Sequence, residues 1–185
     1  MELVKSAEFL AKKKYAGQFR KDNATTYSKH LEDVVNRLKS LGVIDEELLS
    51  AGWLHDIIEN TDTSFDSLYE QFGNRIAVIV SYLTKDKTLP RKQREKAYNI
   101  QLKEASFDAK LIKLYDISAN LSDLKNYDAS KSKKLREVKQ KRHNLTIIKK
   151  DLTNTNYPKI ATLLETINQI LKRYGQRTIS FQTDS

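Results

Sequence analysis

Two apolar stretches of the chain contain charged residues that a protein interior accepts only when something compensates the charge. Residues 51–61 read AGWLHDIIENT, and residues 111–121 read LIKLYDISANL. A helix that is apolar on most sides lies inside a fold, and an unpaired carboxylate is costly there. A divalent metal ion is the simplest common compensator for Asp56, Asp116 and a neighbouring histidine. The two stretches therefore predict a metal-dependent hydrolase.

The spacing within each stretch places polar side chains together on helix faces. In the first stretch, Glu59 comes four residues after His55, and Asn60 comes four residues after Asp56. Residues at this spacing lie on one side of a helix. His55 and Asp56 are neighbours, so they diverge by about 100° on a helix but can still converge on one ion. The second stretch carries a similar stripe: Lys113, Asp116 and Asn120.

A third segment can contribute a ligand, because His30 lies at the edge of an apolar helix face. Three helices can then offer four side chains to one centre: His30, His55, Asp56 and Asp116. Mixed imidazole and carboxylate ligands suit Mn²⁺, Fe²⁺ or Zn²⁺, and the composition does not decide among them. Two alternatives stay open. His30 also fits a satisfied core histidine, and the two aspartates also fit helix-to-helix hydrogen bonds or a salt bridge to Lys113.

The composition is that of a helical globular protein. The chain has 185 residues, 39% of them hydrophobic, with only 5 Gly and 2 Pro. This length suits one domain with a substantial core. The absence of cysteine excludes thiolate chemistry, cysteine-based zinc sites and disulfides. The N-terminus lacks the order of a secretory signal, and no apolar run is long enough to span a bilayer, so we expect a cytoplasmic protein.

The positive charge of the chain is concentrated in one segment. The net charge is +9, and residues 131–150 contain nine Lys or Arg and one acid, Glu137. Apolar residues recur beside these charges at helical spacing, which favours a solvated helix face over nucleic-acid binding. No aromatic residue is interleaved there, which further weakens a single-strand binding function. We expect His143, in the same segment, to face solvent.

Helical periodicity runs through almost the whole chain, and no pair of alternating strands is evident. Asp45 is a candidate N-cap, and Ser64 or Thr63 is another. The pattern predicts an all-α fold of about eight or nine helices and a frayed tail over 178–185. The expected helices lie near residues 3–17, 27–42, 45–60, 64–73, 76–83, 90–102, 108–121, 135–152 and 160–171.

Four short motifs occur in order within residues 7–125. Residues 15–21 (YAGQFRK) are similar to H-x-G-Q-x-R-K, and residues 27–30 (YSKH) to P-Y-x-x-H. Residues 54–61 (LHDIIENT) are similar to L-H-D-x-x-E-D-T, and residues 112–120 (IKLYDISAN) to I-K-L-A-D-R-x-x-N. In this order they resemble the HD-domain metal-dependent phosphohydrolases, and among these the (p)ppGpp hydrolase domain of RelA/SpoT-type proteins.

The resemblance implies an HD-domain helical bundle in a single domain over 1–185, with C-terminal helices in 132–175 completing or flanking it. It also implies a single Mn²⁺ with four ligands: His30, His55, Asp56 and Asp116. Glu59 would activate and position the attacking water, beside a second catalytic position, Asn60. The implied substrate contacts are Arg20, Lys21, Lys113 and Asn120.

The implied activity is release of pyrophosphate from the ribose 3′ position of a (p)ppGpp-type nucleotide, so the expected partner is a small molecule. Three departures from the family pattern bear on the substrate. Asn60 stands where the hydrolases usually have Asp, Ile117 replaces an Arg, and residues 23–26 replace Gly-x-Pro. Two alternatives remain: a phosphohydrolase of a nucleoside monophosphate, cyclic nucleotide or dinucleotide, and a sensor that binds metal and nucleotide with weakened catalysis.

Overall fold

The computed structural model describes residues 2–152 and 159–180, and within them the architecture is all-α, as the sequence predicts. One isolated antiparallel bridge joins Phe19 and Thr26 in the described part of the chain. The last five residues of the predicted frayed tail lie outside the described residues. The α-helices are α1 (Glu2–Lys14), α2 (Tyr27–Leu41), α3 (Glu46–Leu54), α4 (Ile57–Asn60), α5 (Phe65–Phe72), α6 (Asn74–Leu83), α7 (Arg91–Glu104), α8 (Phe107–Asp123), α9 (Lys131–Leu152) and α10 (Lys159–Arg173).

Helix α8 is the centre of the bundle. It is buried along almost its whole length, from Ala109 to Ala119. It packs against α2, α6, α9 and α10, while α3 packs against α1, α2 and α6. A helix surrounded in this way must be apolar on most sides, which explains the composition of residues 111–121. The charged residues of that stretch are therefore held inside the bundle.

Side-chain caps fix where the central helices begin. Asp45 Oδ1 accepts hydrogen bonds from the backbone N–H of Glu47 (2.9 Å) and Leu48 (3.2 Å), as expected for an N-cap. Ser106 caps α8 in the same way, through the N–H of Ala109 at 3.3 Å. Ser64 caps α5, so the N-caps proposed at Asp45 and Ser64 are confirmed.

The prediction of one continuous helix over 45–60 is wrong. Helix α3 ends at Leu54 and α4 begins at Ile57, because Asp56 adopts φ −109° and ψ 1°. The Nδ1–H of His55 donates to the carbonyl oxygen of Gly52 at 2.8 Å. This carbonyl lies in the last turn of α3, where carbonyls lack partners within the helix. The break turns His55 and Asp56 so that both side chains reach the bundle interior.

Helices α2 and α3 approach closely because residue 52 is glycine. A Cβ at this position would lie 3.0 Å from Leu38 Cδ1 and 3.1 Å from Val35 Cγ2. The close approach brings the ring of His30, on α2, to 5.5 Å from the ring of His55, measured between centroids. None of the helices in the described ranges has the length and apolarity that crossing a membrane requires.

Candidate functional site

Side chains from three parts of the bundle meet in one cluster. The candidate ligand atoms of His30, His55 and Asp56 all lie within 4.8 Å of one another. His55 Nε2 lies 3.5 Å from Asp56 Oδ2. From α8, Asp116 Oδ1 lies 3.4 Å from His30 Nε2 and 4.0 Å from His55 Nε2. The structure therefore brings together the four residues expected as metal ligands.

The protonation of the two imidazoles suits a cation between these groups. A carbonyl oxygen can only accept, so the His55 Nδ1 that bonds to Gly52 carries the proton. In the tautomer with its proton on Nδ1, the Nε2 atom is an acceptor, yet it is buried without a hydrogen-bond donor and faces two carboxylates. Both ring nitrogens of His30 are also buried and unpaired. Burial lowers the pKa of His30, although Asp116 acts to raise it. The lowered pKa favours the neutral imidazole, which is the form that binds metals.

The two oxygens of Asp116 have different surroundings. Burial alone would raise its pKa, but Lys113 and Lys141 hold the pKa well below its usual range. Oδ2 accepts from Lys113 Nζ at 2.8 Å, so the salt bridge considered as an alternative is present. Oδ1 faces the histidines and accepts from Asn120 Nδ2. The salt bridge therefore leaves the Oδ1 side available to a cation.

Asp56 is held by a chain of hydrogen bonds that the sequence did not reveal. The hydroxyl of Tyr27 donates to Asp56 Oδ2 at 2.5 Å and accepts from Asn60 Nδ2 at 3.0 Å. Lys87 Nζ donates to Asn60 Oδ1 at 2.9 Å. Tyr27 belongs to the YSKH motif, which was the only available signal for it. Lys87 is far along the chain from Asn60, and no pattern marked it.

A cavity of about 420 Å³ opens beside the cluster. The carboxylates of Asp56 and Asp116 line it, whereas the two histidines are buried behind them. Glu59 also lines it, and Glu59 Oε2 accepts from the backbone N–H of Lys85 at 3.0 Å. All six residues expected to act in catalysis or substrate contact line this cavity: Arg20, Lys21, Glu59, Asn60, Lys113 and Asn120.

A tight turn between α1 and α2 carries two of these basic residues. Asp22 accepts from Thr25 and from the N–H of Ala24, and these hydrogen bonds lower the pKa of Asp22 to about 2. Arg20, which is buried, donates from Nη2 to Asn120 Oδ1 at 3.0 Å and to Asp123 at 3.0 Å. The turn is thereby tied to α8 at the cavity.

Sequence reasoning missed the contribution of α9. The basic segment was expected to face solvent, and His143 does so, with Asn99 as its hydrogen-bond partner. One polar stripe of the helix, however, lines the cavity: Glu137, Gln140, Lys141 and Asn144. Lys141 Nζ lies 3.5 Å from Asp116 Oδ2. The sequence shows that these residues share one side of a helix. It does not show that this side faces a cavity, because polar residues between lysines are equally typical of a solvated face.

One departure from the family motif lies outside the cavity wall. Ile117, which replaces an Arg, is fully buried in the core. The backbone of Asn23, in the segment that replaces Gly-x-Pro, has φ 56°, a left-handed conformation that Asn tolerates.

Comparisons with known proteins identify the family of the chain. Residues 7–147 match the model of the HD domain family. The chain is similar to guanosine-3′,5′-bis(diphosphate) 3′-pyrophosphohydrolase MESH1 of Danio rerio, with 37% identity over 123 residues, covering 66% of this chain and 68% of that protein. The Homo sapiens MESH1 is 38% identical over 125 residues, covering 66% of this chain and 69% of that protein.

A solved structure extends the similarity to the fold. It is described as a metazoan ortholog of SpoT that hydrolyzes ppGpp, and it matches with a TM-score of 0.80 at 28% identity. The match covers 95% of this chain and 97% of that one. The similarity therefore extends beyond the segment that carries the four motifs.

Proposed function

The chain belongs to the HD-domain family, and we propose that it is a hydrolase that removes the 3′-pyrophosphate of guanosine 3′,5′-bis(diphosphate) or a closely related nucleotide. The observation that carries the proposal is the meeting of two imidazoles and two carboxylates beside a cavity lined with Arg and Lys. A cationic cavity attracts a polyphosphate, and the cluster offers ligands for a divalent ion.

HD hydrolases bind a divalent metal, and the cluster fits one because both ring nitrogens of His30 and the Nε2 atom of His55 are buried without hydrogen-bond partners. His30, His55, Asp56 and Asp116 would hold it. We propose Mn²⁺, with Fe²⁺ and Zn²⁺ as alternatives that the same donor set accepts. When bound, the ion would make water more acidic and polarise a phosphoryl oxygen.

Glu59 is the proposed general base. Its carboxylate lines the cavity near Asp56 and is oriented by the N–H of Lys85. It would accept a proton from the water that attacks phosphorus, as the bond from phosphorus to the ribose 3′ oxygen breaks. That oxygen takes up a proton, so the products are the nucleoside 5′-diphosphate and pyrophosphate. The amide of Asn60 cannot accept a proton, so Asn60 acts by holding Tyr27.

Arg20, Lys21, Lys113 and Asn120 are the proposed substrate contacts. Arginine and lysine offset the charge of the phosphoryl groups in the cavity. Arg20 is positioned before substrate arrives, since Asn120 and Asp123 both accept from its guanidinium. We further propose that residues 1–185 form one domain, and a cytoplasmic location stays a prediction.

The test is a hydrolysis assay on the purified protein with Mn²⁺ and a nucleotide panel. The panel contains ppGpp, GTP, a nucleoside monophosphate, a cyclic nucleotide and a dinucleotide. We expect pyrophosphate and GDP from ppGpp, and a loss of about 10²-fold or more in kcat for Glu59→Gln. Glu70→Gln, at an exposed position on α5, is the matched control and should leave turnover unchanged.

Two outcomes of this assay separate the alternatives. Cleavage of another panel member with ppGpp ignored would favour a different nucleotide phosphohydrolase. No turnover of any nucleotide, in protein whose bound metal is verified by elemental analysis, would favour the sensor and contradict the proposal.

A further inference from the structure

Helix α9 brings a lysine to the reacting end of the cavity. Lys141 Nζ lies 3.5 Å from Asp116 Oδ2, and its side chain is 21% exposed. Lys113 Nζ contacts the same carboxylate oxygen at 2.8 Å. Two ammonium groups therefore share one oxygen of a carboxylate whose other oxygen faces the histidines.

The charges around the cavity leave Lys141 without an acid of its own. Three other basic side chains that line the cavity each have a separate carboxylate partner: Arg20 with Asp123, Lys21 with Glu137, and Lys85 with Glu95. In the described part of the chain, Lys113 and Lys141 both pair with Asp116 and with no second carboxylate. Of these two, Lys141 makes the longer contact.

A bound divalent cation would turn the net charge of this centre from negative to positive. Three carboxylates, Asp56, Glu59 and Asp116, oppose the ammonium groups of Lys113 and Lys141. Two added positive charges would leave the centre with a net charge of about +1. A partly buried ammonium in such surroundings gains most from an anionic ligand that offers oxygen atoms.

We propose that Lys141 is a specificity-determining residue that binds the terminal phosphoryl group of the pyrophosphate that is hydrolysed. The inference rests on the proposed function. Lys141 contacts Asp116, which belongs to the metal cluster, so an oxygen held by Lys141 lies at the reacting end of the substrate. Arg20 bonds instead to Asn120 and Asp123. The lysine thus favours a 3′-diphosphate over a 3′-monophosphate.

The neighbours of Lys141 support this role. Gln140 Nε2 donates to Asn144 Oδ1 at 3.2 Å, and both residues line the cavity beside Lys141. Asn144 is 2% exposed, so this polar wall is fixed by packing on the inner side of α9. A lysine on a flexible stem next to a rigid wall can move from Asp116 to a phosphoryl oxygen without a backbone change.

The test measures binding rather than turnover. Protein loaded with Mn²⁺ and freed of excess metal is titrated with pyrophosphate and, separately, with inorganic phosphate by calorimetry. We expect Lys141→Met to weaken pyrophosphate binding about tenfold or more, with a change of less than about threefold for phosphate. Lys141→Arg should restore most of the loss. Lys139→Met, exposed on the same helix, is the matched control and should bind as the unaltered protein does.

The outcomes separate a substrate contact from a structural role. Unchanged pyrophosphate binding in Lys141→Met would overturn the proposal, as would equal weakening for both anions. Lys141→Gln is the second variant, and loss of metal or of folding in both variants would assign Lys141 to structure and overturn the proposal as well. Because the experiment measures binding and not hydrolysis, it tests the role of Lys141 even if the protein does not hydrolyse ppGpp.

Discussion

The two oxygens of Asp116 make different contacts. Oδ2 compensates the buried ammonium of Lys113, and Oδ1 faces His30 with the amide of Asn120 beside it. One carboxylate therefore balances a buried charge and completes a candidate metal cluster. A side chain that made only one of these contacts would leave either the ammonium of Lys113 or the imidazole nitrogens without a compensating group.

Replacing Asp116 should disturb both tasks. In Asp116→Asn the negative charge is lost, so we expect metal affinity to fall about tenfold or more. We also expect the metal-free variant to lose about 3–5 kcal/mol of unfolding free energy, because Lys113 remains buried without a counter-charge. Elemental analysis after dialysis and urea unfolding measure the two effects. Asp128→Asn, at an exposed position, is the control, and normal metal content in Asp116→Asn would contradict the ligand set.

Asn60 acts in the structure as a donor rather than as a base. Its amide donates to Tyr27, and its carbonyl oxygen accepts from Lys87. We expect Asn60→Asp to change kcat by less than about tenfold, because the hydrogen bond to Tyr27 is lost while a carboxylate is gained. Steady-state hydrolysis measures this. A gain of about 10²-fold or more, the range of a general base, would show that the natural site lacks a needed carboxylate.

At the scale of elements, the break between α3 and α4 decides the geometry of the cluster. Gly52 contributes twice, since its carbonyl accepts from His55 and its missing side chain lets α3 approach Val35 and Leu38 on α2. The separation of His30 and His55 therefore depends on a residue that is itself no ligand.

Gly52→Ala should widen this separation. The added methyl group meets two side chains at 3.0 and 3.1 Å, so we expect a loss of about 1–3 kcal/mol in unfolding free energy. We also expect weaker Mn²⁺ binding, because the two imidazoles move apart. Thermal unfolding and metal titration test the two effects. Wild-type stability together with wild-type metal affinity would show that the helices adjust without cost.

The same elements show how far the sequence predicts the site. Asp56 and Asp116 were identifiable because each lies in an apolar stretch, where a buried carboxylate requires a compensating group. The break after Leu54 was not predictable, since the hydroxyl of Tyr27 that holds Asp56 comes from another helix, and the bond from His55 to the Gly52 carbonyl is local but has no sequence signal. The sequence did not predict that one face of α9 lines the cavity. Lys141 has the same residue type as its exposed neighbours, and only the packing of α9 on α8 distinguishes it.

In the molecule as a whole, the cavity lies between the segment that carries the motifs and the C-terminal helices. Helix α9 packs on α8 and α7 and lines the cavity with a polar face. The match to the solved ppGpp hydrolase, which covers 95% of the chain, agrees with α9 being part of the fold. The basic charge of 131–150 is thus divided between solvent and the cavity.

Metal should stabilise the folded molecule, because the proposed ligands come from separate parts of the bundle and meet only when it is folded. We expect Mn²⁺ at 100 times its Kd to add about 2.7 kcal/mol to the unfolding free energy and to raise Tm. Calorimetric melting with Mn²⁺ and with EDTA measures the shift. Asp56→Ala should abolish most of it, and an equal shift in that variant would indicate metal binding elsewhere.

Diffraction at the manganese absorption edge, from crystals grown with Mn²⁺, would locate the metal. We expect one strong anomalous peak among the imidazole nitrogens of His30 and His55 and the carboxylates of Asp56 and Asp116. A cluster without a peak, in crystals whose Mn²⁺ is bound at another place, would contradict it.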